Sequence, residues 1–139
     1  MEDSLEITVP SNPLYLKLIR QVVAETARMT GFEESDSQKI CLAVDEACTN
    51  IIRHSYDGDQ KQKIIVTFHL SEKKLVIELK DFGKKLDLTK IEKKNTPRTK
   101  PGGLGVNLIV SIMDIVEYDK TSDKYNRVKL TKFLKSEGI

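Results

Sequence analysis

Three groups of residues have the types and spacing to do chemistry. Glu46, Asn50 and His54 recur every fourth residue, so a helix sets them along one face. A glutamate there is a candidate general base, and the asparagine side-chain oxygen is a candidate ligand for a hard cation. Taken alone, the trio reads equally as the polar flank of an amphipathic helix. Asp81-Phe82-Gly83 follows a strand-like run. A carboxylate at a strand end accepts a hydrogen bond from an exocyclic amine, and a glycine lets backbone approach a flat ring closely. The triplet also spells the metal-binding motif of eukaryotic protein kinases, but nothing in the chain resembles that family's lysine strand or His-Arg-Asp loop. Pro101-Gly102-Gly103-Leu104-Gly105 opens a helical pattern. Glycines at a helix start expose N–H groups at the positive end of the dipole, where anions bind. No Gly-Lys-Ser/Thr follows, so this is no Walker A loop. No strand precedes at close range, so it is no dinucleotide fingerprint either.

The elements that must position these groups follow from periodicity. Residues 5–9 alternate apolar and polar and predict a strand ending at Pro10. Ser11 is the expected cap of a helix running to Thr30, with Gly31 as its stop. Its inner stripe reads as Leu14, Leu18, Val22 and Met29, widened by Ile19 and Val23, with Lys17, Arg20, Gln21 and Arg28 further outward. A second helix is expected from about residue 35 to His54, with Ile40, Ala43, Val44, Ala47 and Ile51 toward the core. Residues 56–59 are turn chemistry, residues 63–70 and 74–80 are strands, and Ser71-Glu72-Lys73 joins them. Residues 81–103 have no clean period, and a loop of that length in a small domain is a lid, a binding loop or a disordered segment. A helix over residues 104–114 and strands over 115–119 and 128–133 close the chain. The order β-α-α-β-β-loop-α-β-β predicts an α+β two-layer sandwich, with helices on one face of a mixed or antiparallel sheet.

Length and composition set the outer limits. The 139 residues, 39% hydrophobic and 32% charged, suit one domain spanning 1–139 and are too few for a two-lobed kinase. No apolar run reaches the roughly 20 residues of a membrane span. The acidic residues near the start do not read as a signal peptide. The net charge of +2 conceals a split: residues 1–59 sum to −6 and residues 60–139 to +8. The basic centre is residues 84–100, with seven Lys or Arg against Asp87 and Glu92. On composition alone this run reads as a solvated loop. Cys41 and Cys48 lie seven residues apart, roughly 10 Å along a helix, too far for a disulfide. Two free thiols and no span suggest a reducing cytoplasm and no membrane partner.

Together the motifs become specific. Leu42-Ala43-Val44-Asp45-Glu46-Ala47-Cys48-Thr49-Asn50-Ile51-Ile52-Arg53-His54-Ser55-Tyr56, then Asp81-Phe82-Gly83-Lys84-Lys85-Leu86-Asp87, then Gly102-Gly103-Leu104-Gly105-Val106-Asn107-Leu108-Ile109 occur in one order. The chain resembles the Bergerat-fold ATP-binding superfamily of gyrase, Hsp90, histidine kinases and MutL. Within it, it most resembles the bacterial anti-sigma-factor serine kinases of partner-switching systems.

The resemblance implies roles. Glu46 would be the general base toward the attacking hydroxyl, and Asn50 would hold the phosphate-bound Mg²⁺. Asp81 would bind the adenine amine of ATP, Gly83 would shape the purine pocket, and Gly102, Gly103, Leu104 and Gly105 would meet the phosphates. His54 would lie near the nucleotide. Residues 84–103 become an ATP lid, so the basic run there acquires a purpose over a triphosphate. A sigma factor and a small antagonist protein, the phosphorylation substrate, would be the partners, reached through Lys17 or Arg20 on helix one, and the family usually forms homodimers. The chain also departs from the pattern. Asn126 stands where the family often has an adenine-binding Thr, Leu86 where an aromatic is common, and Lys100 and Pro101 where an Arg precedes the lid glycines. Three other readings remain: a nucleotide-responsive binding module without phosphotransfer, a detached histidine-kinase catalytic domain, and a nucleic-acid binder. The last is disfavoured because the basic half shows no aromatic–basic interleaving along the sequence.

Overall fold

The computed structural model describes residues 2–85, 105–119 and 121–135. Its strands are β1 (Asp3–Pro10), β2 (Lys63–Leu70), β3 (Lys74–Asp81), β4 (Ile115–Asp119) and β5 (Asn126–Phe133). They form one sheet in the order β1-β2-β3-β5-β4, and every neighbouring pair is antiparallel. The helices are α1 (Leu16–Thr30), α2 (Glu34–Asn50) and α3 (Gly105–Ile112). Ile64, Val66, Phe68 and Leu70 alternate along β2 and are buried. Their register partners Leu79, Ile77 and Leu75 on β3, then Val128 and Leu130 on β5, continue the same face. These residues share one apolar cluster with Ile19, Val23, Ile40, Val44 and Ala47 of the helices. Burial of each such side chain contributes about 1.5–3 kcal/mol, which commits this face of the sheet to the helical layer.

The α2 stripe is as expected, with Ile40, Ala43, Val44, Ala47 and Ile51 all buried. The α1 stripe is not. Leu14, Leu18 and Met29 are exposed, and the buried face is Leu16, Ile19, Val23, Thr26, Ala27 and Thr30. Helical spacing alone fits either choice, because two apolar rows run along this helix and only docking against α2 and the sheet selects one. The hydroxyls of Thr26 and Thr30 are accommodated inside by donating to the carbonyls of Val22 and Thr26, one turn back. Ser11 is also not the cap. It is fully buried, donates to the Asp59 carbonyl at 2.6 Å, and leaves Asn12 to cap a short 3₁₀ turn, Pro13–Tyr15, ahead of α1. Gly31 does end α1, at φ 112°, with its N–H donating to the Ala27 and Arg28 carbonyls.

The second helix changes pitch before it ends. Ile51–Ser55 forms a π turn directly after α2, closed by the Tyr56 N–H donating to the Ile51 carbonyl at 3.1 Å. A π turn carries more residues per turn than an α-helix, and such turns concentrate at functional sites. The row expected from Glu46 through Asn50 to His54 therefore holds on α2 and is offset at His54. Both thiols are free, and burial pushes Cys41 and Cys48 upward, so neither is a ready nucleophile.

Candidate active site

Asp81 ends β3 on the packed face of the sheet and is 1% exposed. A carboxylate at such a place must be satisfied, and three donors do so. Asn126 Nδ2, opposite in the β3–β5 register, donates to Oδ1 at 2.9 Å. The Gly83 N–H donates to the same oxygen at 2.9 Å. Ser55 Oγ donates to Oδ2 at 3.3 Å. Burial raises the carboxyl of Asp81 above its ordinary value, against the pull of Asn126, Gly83 and Ser55. Asn126 uses its second amide hydrogen on the Lys84 carbonyl at 2.9 Å, tying β5 to the chain that leaves β3.

Gly83 is required by closeness. A Cβ on it would stand 2.2 Å from the Ser55 carbonyl oxygen. That oxygen accepts the Lys84 N–H at 2.9 Å, so the end of the π turn and the start of the loop are stitched backbone to backbone. Tyr56 reinforces the junction, its phenol donating to the Lys63 carbonyl at 2.6 Å and accepting the Phe82 N–H at 2.8 Å. Burial raises the Tyr56 phenol as well.

Glu46 and Asn50 project from α2, both half-buried, and His54 from the π turn, also half-buried. One turn separates Glu46 from Asn50, about 6 Å along the axis, so a carboxylate and a carboxamide stand on the same face of α2. Asp45, their neighbour, keeps Arg20 at 3.7 Å on the α1 side. Lys17 is exposed.

The structure thus brings Asp81, Gly83 and Asn126 together, and attaches them through Ser55 to the helix bearing Glu46 and Asn50. Gly105 is the first residue of α3. Leu86, Lys100, Gly102, Gly103 and Leu104, with the expected lid from residue 86 to 103, lie outside the described residues. Ser55 and Tyr56 carry no role in the sequence reading. Only their position directly after the Glu-x-x-x-Asn helix hinted at them, since their contacts depend on the π turn.

The corner is thus a buried carboxylate held by three donors, beside a glycine packed against the Ser55 carbonyl. Residues 9–132 match the profile of the histidine kinase-like ATPase domain. The chain belongs to this family. Other members resemble this ATPase over nearly its whole length. The serine-protein kinase RsbW of Bacillus cereus (strain AH187) is 32% identical, covering 99% of this chain and 89% of that one. RsbW of Bacillus velezensis is 29% identical over the same shares. Among solved structures, the RsbU and RsbW domains of Rv1364c from Mycobacterium tuberculosis superpose with a TM-score of 0.66 at 17% identity, covering 94% of this chain. This ATPase spans 32% of that longer chain. Histidine kinase AdeS of Acinetobacter baumannii follows at a TM-score of 0.54 and 10% identity, covering 95% of this chain and 68% of that one. Both structures speak to the fold. No described helix is long and apolar enough to cross a membrane.

Proposed function

We propose that this histidine kinase-like ATPase is an ATP-dependent protein serine/threonine kinase that acts as an anti-sigma factor in the cytoplasm. It phosphorylates a small antagonist protein and, in the alternative state of the switch, holds a sigma factor. The observation that carries the reading is the Asp81–Gly83–Asn126 corner, joined through Ser55 to a helix that presents Glu46. The near-full-length likeness to serine-protein kinases supports the same class of reaction.

Each residue's part follows from its chemistry. Asp81 accepts the adenine amine, and Gly83 lets backbone lie against the ring. Asn126 fixes the Asp81 carboxylate and substitutes a carboxamide where relatives use a hydroxyl. Glu46 accepts the proton of the protein hydroxyl as the oxygen attacks the γ-phosphorus, and the bridging oxygen to the β-phosphate leaves with its electron pair. Asn50 offers a hard oxygen to Mg²⁺, which when bound would offset charge on the phosphates. Gly102, Gly103, Leu104 and Gly105 offer backbone N–H groups to the same phosphates, Leu86 and Lys100 belong to the lid around them, and His54 sits beside the nucleotide. Lys17 and Arg20 are the partner-facing basic residues of α1. A homodimer is the expected assembly.

The test is phosphotransfer from radiolabelled ATP with Mg²⁺ to a small antagonist-type protein of the same organism. Label on a serine or threonine of that protein supports the kinase. Tight ATP binding with no label would instead favour a binding module.

A further inference from the structure

The face of the sheet away from the helices carries a feature that the kinase reading does not use. Across this face, strand register sets Ile65, Lys80, Arg127 and Asp119 in one row, and Lys63 at the start of β2, Phe82 just after β3 and Tyr125 just before β5 lie at its end. The cations stand over the rings. Lys63 Nζ is 5.1 Å and Lys80 Nζ 5.6 Å from the Phe82 centroid. Lys80 Nζ is also 4.3 Å, and the Arg127 guanidinium 5.7 Å, from the Tyr125 centroid. Cation–π contacts at such distances fix both rings and both chains of methylenes in place. Phe82 is nevertheless 42% exposed. Among the described residues, no carboxylate lies within ion-pair distance of Lys63 or Lys80. Arg127, by contrast, is held by Asp119 at 2.8 Å and Glu78 at 3.8 Å.

We infer that this cation–aromatic patch is a docking surface for an acidic segment of a partner protein, one whose carboxylates alternate with apolar side chains. Charge complementarity argues for carboxylates against the two uncommitted ammonium groups. The exposed ring argues for an apolar side chain between them. The next row inward carries Glu78 and Glu117, with Lys129 between them. Those carboxylates repel a polyanion that runs on across the sheet, whereas a short acidic segment confined to the Lys63 and Lys80 end of the face does not reach them. The inference is independent of phosphotransfer and survives if the kinase reading fails.

The test uses the full chain and a fluorescein-labelled peptide of repeated Glu-Glu-Leu-Gly, with a Lys-Lys-Leu-Gly repeat, oligo-dT and the unliganded chain as comparisons. The acidic peptide is expected to bind at least about tenfold more tightly than the basic one. Lys63→Glu/Lys80→Glu should weaken it by about tenfold or more. Lys39→Glu/Lys73→Glu, the same charge change on exposed residues of α2 and the β2–β3 turn, should leave it within about twofold. Amide shifts in the wild-type chain should concentrate at Lys63, Lys80, Phe82 and Tyr125, and this map decides alone if the double variant fails to fold. Equal weakening by both double variants, or shifts elsewhere, overturns the inference. Tighter oligo-dT binding through the same lysines reassigns the patch to nucleic acid. A smaller assembly for Lys63→Glu/Lys80→Glu in sedimentation reassigns it to a second copy of the chain.

Discussion

Around Asp81 the polar atoms are committed before any nucleotide arrives: three donors meet one carboxylate, and Asn126 spends both amide hydrogens on the corner. Along α2 the arrangement is the reverse, since no described residue hydrogen-bonds the side chain of Glu46 or Asn50. Under the proposed kinase reading, the first region receives the nucleotide with its polar groups already satisfied in folding, and the second presents groups that meet substrate. Binding and turnover should therefore separate cleanly when the two regions are altered one at a time.

Glu46→Gln gives the largest effect. It keeps the size and half-burial of the side chain and removes the proton acceptor. Phosphotransfer should fall by about 10²–10⁴-fold, with ATP affinity changed little. Single-turnover transfer and equilibrium ATP binding on the same preparation check both halves. Transfer at the wild-type rate would remove the base assignment and with it the division of labour between the regions.

Gly83→Ala probes the receptor end. Its Cβ meets backbone, not a flexible side chain, 2.2 Å from the Ser55 carbonyl. Relief requires the β3 exit to move away from the π turn, a cost of about 1–3 kcal/mol or more in stability. ATP affinity should fall with it, because the same movement carries Asp81. Thermal unfolding with and without ATP separates the two losses. Asn126→Ala is milder. It deprives the Asp81 carboxylate and the Lys84 carbonyl of a donor each, worth about 1–3 kcal/mol in a buried setting. Urea unfolding should show the loss, and transfer at saturating ATP should stay near the wild-type rate.

The same contrast explains what could be read from residue order. The α2 stripe follows from a period of 3.6, and β2 and β3 from short runs rich in Ile, Val and Phe that alternate in part, with Leu75, Val76 and Ile77 all buried. The α1 face is not legible in this way, since Leu14, Leu18 and Val22 make a row as regular as Ile19, Val23 and Ala27. Asp81 and Gly83 form a compact motif, and Asn126 is legible only through the family pattern. The contacts of Ser55 and Tyr56 are not legible in the sequence, because they depend on a π turn that no propensity signals. The aromatic–basic interleaving is hidden for a related reason: Lys63, Phe82 and Tyr125 belong to three separate segments, and only strand pairing brings them together.

The smallest effect tests whether the receptor end is held at a cost. Burial raises the Asp81 carboxyl in the folded chain. Between its unfolded and folded values, the native state binds more protons than the unfolded state, so stability falls as pH rises. This contribution is fully present below the unfolded value, near 3.9, and is lost as pH passes the raised folded one. Asp81→Asn cannot titrate. Without nucleotide, the stability difference between wild type and Asp81→Asn should shift toward the variant as pH rises across that window, then level off. ATP should reverse the ranking at neutral pH. Its amine meets a carboxylate only in the wild type, and a charged hydrogen bond of about 1.5–3 kcal/mol is lost in the variant. Parallel pH curves for the two proteins without ATP would mean that Asn126, Gly83 and Ser55 fully offset the burial, and that the corner is no more strained than the open α2 flank.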